Sequence, residues 1–192
     1  MFRIISIFLF WIKKWKIEHE LIPKLGFEKF VLIGAPHTSN WDIVYFLGAI
    51  RKMKLKPNFL IKKFWMRFPF SLMFKPLGGV PIDRLPKTES KGLSMVSNMV
   101  DLFAHSEKLI IAISPEGTRS KNEHWKKGFY HTALQAKIPI LLGYLDYENK
   151  VAGISKAIIP SGDFTKDMME INLFYSQYQG KNPLQFAQCQ SD

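Results

Sequence analysis

Phe30-Val31-Leu32-Ile33-Gly34, followed after Ala35 by Pro36-His37-Thr38-Ser39-Asn40-Trp41-Asp42, is the stretch that decides how this chain folds. The apolar run is of strand type, and Ile43 to Ile50 has helical character, so a strand leads through a short loop into a helix. In open α/β sheets, functional groups gather outside the carboxyl ends of the strands, which is where this reading puts His37. Ser39 or Asn40 serves as N-cap, and Asp42 then falls in the first helical turn, within reach of the His37 imidazole. A carboxylate there fixes the ring tautomer and stabilises the imidazolium formed when the other nitrogen takes a proton. The competing reading is a loop histidine next to an aspartate that merely complements the helix dipole.

A chain of 192 residues suffices for one domain with a real core. Its single cysteine, Cys189, excludes an internal disulfide framework, and the histidines at 19, 37, 105, 124 and 131 lack metal-ligand spacing. No metal site is therefore expected. The net charge of +11 is unevenly placed: residues 1–91 hold 17 Lys and Arg against 6 Asp and Glu, whereas residues 92–192 hold 10 of each. The field of the first half suits nucleic acid, an anionic membrane or a phosphorylated substrate.

The residues between the charges separate these partners. Ile4 to Ile12 is almost wholly apolar, with Arg3 before it and Lys13, Lys14 and Lys16 after it. As a helix it extends about 14 Å, against roughly 30 Å for a hydrocarbon core, so it does not span. An in-plane anchor fits, with Phe8, Phe10, Trp11 and Trp15 in the interface; the alternative is a helix packed on its own core. Phe64 to Lys75 crowds aromatics and methionines beside isolated cations, with few polar groups able to read bases. A membrane-facing or acyl-chain-lining surface is expected there rather than a nucleic-acid platform.

Two further loops carry chemistry. Gly78-Gly79-Val80-Pro81-Ile82-Asp83-Arg84 ends in a guanidinium whose planar fork suits phosphate oxygens, unless Arg84 merely pairs with Asp83 at the surface. Lys108 to Ile113 has the composition of a buried parallel strand and delivers Ser114-Pro115-Glu116-Gly117-Thr118-Arg119-Ser120 at its carboxyl end. Helices are expected over 91–106 and about 129–137. A strand over Ile138 to Tyr144 and a hairpin partner over Lys150 to Ile159 follow, then an amphipathic segment from Phe164 to Tyr178 and a frayed tail after Gly180.

The order and types of these residues over about 30–145 resemble the glycerolipid acyltransferases, the 1-acylglycerol-3-phosphate acyltransferase family. The His-x4-Asp box matches at His37 and Asp42, a Gly-x-x-x-Ile-Asp-Arg box from Gly78 to Arg84, a Pro-Glu-Gly-Thr-Arg box from Pro115 to Arg119, and a Pro-centred strand at Ile138-Pro139-Ile140. Pro81, Ser114 and Leu142 depart from the pattern, the first two at positions where an aromatic is usual or frequent and the third where a second proline is frequent.

The resemblance implies His37 as base and Asp42 as its orienter, with no cofactor beyond acyl-CoA or an acyl carrier protein as thioester donor. Arg84 and Arg119 would hold the acceptor's phosphate, while Glu116, Gly117 and Thr118 organise the acceptor end. The acceptor implied is a lysophospholipid, 1-acyl-sn-glycerol 3-phosphate above others, and the place of action the cytoplasmic face of a bacterial cell membrane.

The fold expected is α/β, a mixed, largely parallel sheet flanked by helices on both faces. Residues 1–24 would form the N-terminal interfacial, membrane-associating helix, 25–180 the catalytic domain and 181–192 the tail. Two rivals stand beside this reading: transfer to another lyso-lipid or an amine, and a non-catalytic basic protein that binds membrane or nucleic acid. Release of thiol from an acyl thioester, with and without lysophosphatidic acid, separates enzyme from binder.

Overall fold

The computed structural model describes residues 2–18, 26–62, 67–68, 71–74, 78–82 and 91–190. In chain order the elements are α1 (Phe2–Ile12), β1 (Lys16–Glu18), β2 (Lys29–Gly34), α2 (Trp41–Lys52), β3 (Asn58–Lys62), α3 (Ser71–Phe74) and β4 (Gly79–Ile82). Then come α4 (Lys91–Ala104), β5 (Leu109–Ile113), α5 (Gly128–Ala136), β6 (Ile140–Asp146), β7 (Val151–Ile158) and α6 (Phe164–Tyr175), with a 3-10 turn at Pro183–Gln185.

The strands form one seven-stranded sheet in the order β1-β7-β6-β2-β5-β3-β4. Every neighbouring pair is parallel except β6 and β7, which run antiparallel, so the expected mixed, largely parallel α/β sheet is what the chain builds. The near-continuous apolar sequence of β2 has a direct cause: as a central strand between β5 and β6 it is covered on both sides. Val31 and Ile33 enter the larger core, with Val96, Met99 and Phe103 of α4, Phe129 and Ala133 of α5, and Met168 and Ile171 of α6. Phe30 and Leu32 join Leu141 and Ile154 in a second cluster, against which Phe46 of α2 packs.

The N-terminal segment differs in part from the sequence expectation. Helix α1 packs against α2, and the chain then adds β1 as an edge strand parallel to β7. Phe10 and Trp15 are buried in a cluster with Tyr45 and Leu145, while Phe8 and Trp11 remain largely exposed. A helix this short offers α2 one face, and Phe10 lies on it, with Trp15 buried beside it against Tyr45. No described helix is long and apolar enough to cross a membrane.

The tail corrects a second expectation. Residues 179–190 are not frayed; they lie across the loops that follow β2 and β5. The Gln179 carbonyl accepts the Tyr147 amide, Ala187 accepts the Trp125 indole N–H, and the Cys189 amide donates to Asn172. These polar groups, together with burial of Ala187 and Cys189, offset the entropy of ordering a segment that has little regular structure.

Candidate active site

The parallel pairing of β5, β2 and β6 brings their carboxyl ends together, and the loops after β2 and β5 meet above them. His37 Nδ1 lies 3.0 Å from Asp42 Oδ2, the reach expected for a residue in the first turn of α2. The same oxygen accepts the backbone N–H groups of Thr38 (2.8 Å) and Ser39 (2.9 Å), and Oδ1 accepts the Tyr147 hydroxyl at 2.6 Å. Four donors converging on one side chain suit a carboxylate, and they place the ring hydrogen on Nδ1. Nε2 is thereby left with its lone pair free to accept a proton, on a ring that stays partly exposed while Asp42 is buried.

Asn40 occupies the N-cap position of α2 without making a capping bond. Ser39 Oγ accepts the Trp41 amide instead, at 3.2 Å, and the Asn40 side-chain oxygen accepts from the Arg119 guanidinium. The cap residue has thus been diverted to join two loops that lie 79 positions apart.

Glu116 reaches across to the same loop. Its Oε1 accepts the His37 amide at 2.7 Å, whereas Oε2 is buried with no hydrogen-bond partner. Burial, and to a smaller extent the negative charge of Asp42, push its carboxyl up to about 8, against the pull of the His37 N–H. At neutral pH the side chain is therefore held mainly as the neutral acid.

Gly117 adopts φ +68°, a left-handed conformation that favours glycine in this turn, and the flexible Lys126 side chain lies across it. The Thr118 hydroxyl accepts the Ser120 amide at 3.2 Å and so shapes its own exposed loop. Glu116 and Arg119 thus contact the His37 loop directly, while Gly117 and Thr118 form the turn between them. Asp83 and Arg84 lie outside the described residues, as does half of the aromatic stretch from Phe64 to Lys75.

Beneath His37 a cavity of about 190 Å³ opens between α2 and the sheet. Leu32, Ile43, Phe46, Phe59, Ala112 and Leu145 give it apolar walls, and His37 and Asp42 stand among its lining residues. A base beside an apolar cavity, with a guanidinium on the neighbouring loop, can bring a polar nucleophile to a substrate that has a hydrocarbon portion.

The family model for Acyltransferase matches residues 16–141, the segment that carries both loops. The chain belongs to the Acyltransferase family. Among solved structures, this acyltransferase is similar to the 1-acyl-sn-glycerophosphate (LPA) acyltransferase PlsC from Thermotoga maritima. The two share 14% identity and a TM-score of 0.58 over 92% of this chain and 78% of that one. At that identity the likeness speaks for the fold. Among curated proteins none matches the sequence.

Several residues of this acyltransferase site carried no signal in the sequence. Tyr147 follows the end of β6, 105 positions from the aspartate it contacts. Asn182 donates through its amide N–H to Thr38 Oγ1 (3.1 Å) and through its side chain to the Thr38 carbonyl (2.7 Å). Gln185, in the amide orientation that satisfies both its ends, reaches the carbonyls of Thr38 (2.8 Å) and Arg119 (3.0 Å). Gly180 permits this approach, since a Cβ there would lie 2.8 Å from Thr38 Oγ1 and 3.0 Å from Pro36 Cβ. Polar residues in a terminal segment look alike whether solvated or clamped, so only their tertiary partners reveal them. Among the described residues no cluster of His, Cys, Asp and Glu could hold a metal ion.

Proposed function

We propose that this acyltransferase moves a fatty acyl group from a thioester donor, acyl-CoA or acyl carrier protein, to the free hydroxyl of a lysophospholipid. The favoured acceptor is 1-acyl-sn-glycerol 3-phosphate and the product phosphatidic acid. The observation that carries the reading is the His37–Asp42 pair set at an apolar cavity large enough for part of an acyl chain.

In this scheme His37 Nε2 takes the proton of the acceptor hydroxyl as its oxygen attacks the thioester carbonyl, and Asp42 stabilises the imidazolium. Collapse of the tetrahedral intermediate breaks the carbon–sulfur bond, and the imidazolium returns its proton to the departing thiolate. The acceptor is itself the nucleophile, so no acyl-enzyme forms. Arg119, tied to Asn40 beside the base, holds the acceptor's phosphate together with Arg84. Glu116, mainly neutral at physiological pH, fixes the His37 backbone while adding little negative charge next to Asp42.

The acceptor is amphipathic, and the surface around the site supports work at an anionic leaflet. Phe8, Trp11 and Ile12 of α1 and Trp41 and Ile43 of α2 are exposed, and the first half of the chain carries the whole net positive charge. A peripheral attachment to the cytoplasmic face of a bacterial membrane follows as part of the proposal.

The test offers the purified protein an acyl-CoA with and without lysophosphatidic acid and follows release of free thiol. Release that depends on the acceptor, and that falls by about 10²-fold or more in His37→Ala, is the expected result. A binder without catalysis would float with anionic liposomes yet release no thiol, and that outcome would end the proposal.

A further inference from the structure

We propose that Tyr147 is a positioning residue for the His37–Asp42 pair, and that Trp15, immediately after the N-terminal helix, holds Tyr147 in place. This rests on the acyl-transfer reading only where activity is measured. The Tyr147 hydroxyl is the one donor to Asp42 Oδ1 among the described residues, whereas Oδ2 already serves Thr38, Ser39 and His37. Without it, the carboxylate is anchored through a single oxygen and can swing about that point. With it, the carboxylate plane is fixed from both ends, and with it the direction in which the His37 ring is held. Burial first, and then the hydrogen bond to Asp42 and its charge, hold the Tyr147 phenol well above its ordinary value, so it remains a donor throughout the working pH range.

The geometry around the ring explains how so precise a contact is maintained in a turn. Tyr147 stands edge-on to Trp15, with centroids 5.0 Å apart at 89°, and edge-on to Tyr45 at 5.8 Å and 82°. Trp15 stacks on Tyr45 at 4.6 Å and 24°, and its own amide is held by the Phe10 carbonyl at 3.0 Å. Its backbone is pinned as well, since the Tyr147 amide donates to Gln179 of the tail. Three aromatic rings therefore form a solid corner in which edge-to-face contact leaves the phenol one direction to point. The chain runs from α1 through Trp15 and Tyr147 to Asp42, so the segment bearing exposed Phe8 and Trp11 is mechanically continuous with the base. Displacement of α1 would be felt at His37 through side-chain contacts alone.

The test compares Tyr147→Phe, which keeps the ring and loses the hydroxyl, with Trp15→Phe, which loosens the seat. In each full-length protein the His37 Nδ1–H proton resonance is recorded, assigned by its loss in His37→Gln. Thiol release from an acyl-CoA with lysophosphatidic acid gives kcat and KM. We expect Tyr147→Phe to move the resonance and to lower kcat about tenfold, the scale of one hydrogen bond to a charged group, with both KM values within about twofold. Trp15→Phe should move the resonance the same way by less. In an Asp42→Asn background Tyr147→Phe should cost nothing more, because its target is gone. An unmoved resonance in Tyr147→Phe, or losses that multiply in the double variant, would overturn the assignment. If the wild-type protein releases no thiol, the acyl-transfer proposal fails on its own, and the resonance still decides whether Tyr147 positions His37.

Discussion

Replacing Glu116 by glutamine isolates the buried carboxyl that accepts the His37 amide. The folded carboxyl keeps its proton up to about pH 8, whereas its ordinary value is 4.5. Between those limits the folded chain binds a proton that the unfolded chain has released. Stability contributed by this group is therefore fully present below pH 4.5 and is lost as pH rises through 8.

The slope is up to ~1.4 kcal/mol per pH unit, and across the window it amounts to about 5 kcal/mol. Glutamine is neutral at every pH, has the same shape, and can accept the His37 amide as Oε1 does at 2.7 Å. Near pH 5 the variant should lie within about 1 to 2 kcal/mol of the wild type, the difference reflecting its amide nitrogen at the buried position where Oε2 has no partner. The difference in unfolding free energy should then shift in favour of the variant by several kcal/mol on going to pH 8. Urea unfolding of both proteins, followed by tryptophan fluorescence at pH 5, 6, 7 and 8, measures that difference directly. A difference that stays constant from pH 5 to 8 would show that Glu116 ionises in the folded chain as it does in the unfolded one, and the reasoning would fail.

Three other expectations are open to direct measurement. His37→Ala should lower acyl transfer by about 10²- to 10⁴-fold while sedimentation with anionic vesicles stays as in the wild type. If Arg119 holds the acceptor's phosphate as proposed, Arg119→Ala should raise the KM for lysophosphatidic acid about tenfold, the loss of one charge-assisted contact, and leave that for acyl-CoA within twofold; equal rises would speak against a phosphate role. Gly180→Ala inserts a methyl 2.8 Å from Thr38 Oγ1 and 3.0 Å from Pro36 Cβ, and should cost about 1–3 kcal/mol in urea unfolding, with a fall in kcat if the tail steadies the His37 loop.

The spacing of His37 and Asp42 was legible because one helical turn sets it locally: an aspartate two residues past the N-cap is within reach of the loop that precedes it. The apolar runs of β2, β5 and β6 were legible for a similar reason, since a strand covered on both faces must be apolar at every position. From these followed an α/β fold with its chemistry at strand ends, and the four boxes of residues pointed to the family that the chain belongs to.

Tertiary structure alone decided who completes the site. Tyr147, Asn182 and Gln185 approach the His37 loop from more than a hundred residues away, and no periodicity marks a residue whose role is one long-range hydrogen bond. It likewise decided that Phe10 and Trp15 turn inward while Phe8 and Trp11 remain outside, and that the tail is clamped rather than loose. Local sequence fixes which backbone conformations are favourable; partners across the sheet fix which polar groups are satisfied. The neutrality of Glu116 belongs to the second kind, because the same carboxyl in an exposed loop would be ionised, and it is burial against the ends of the strands that holds its proton.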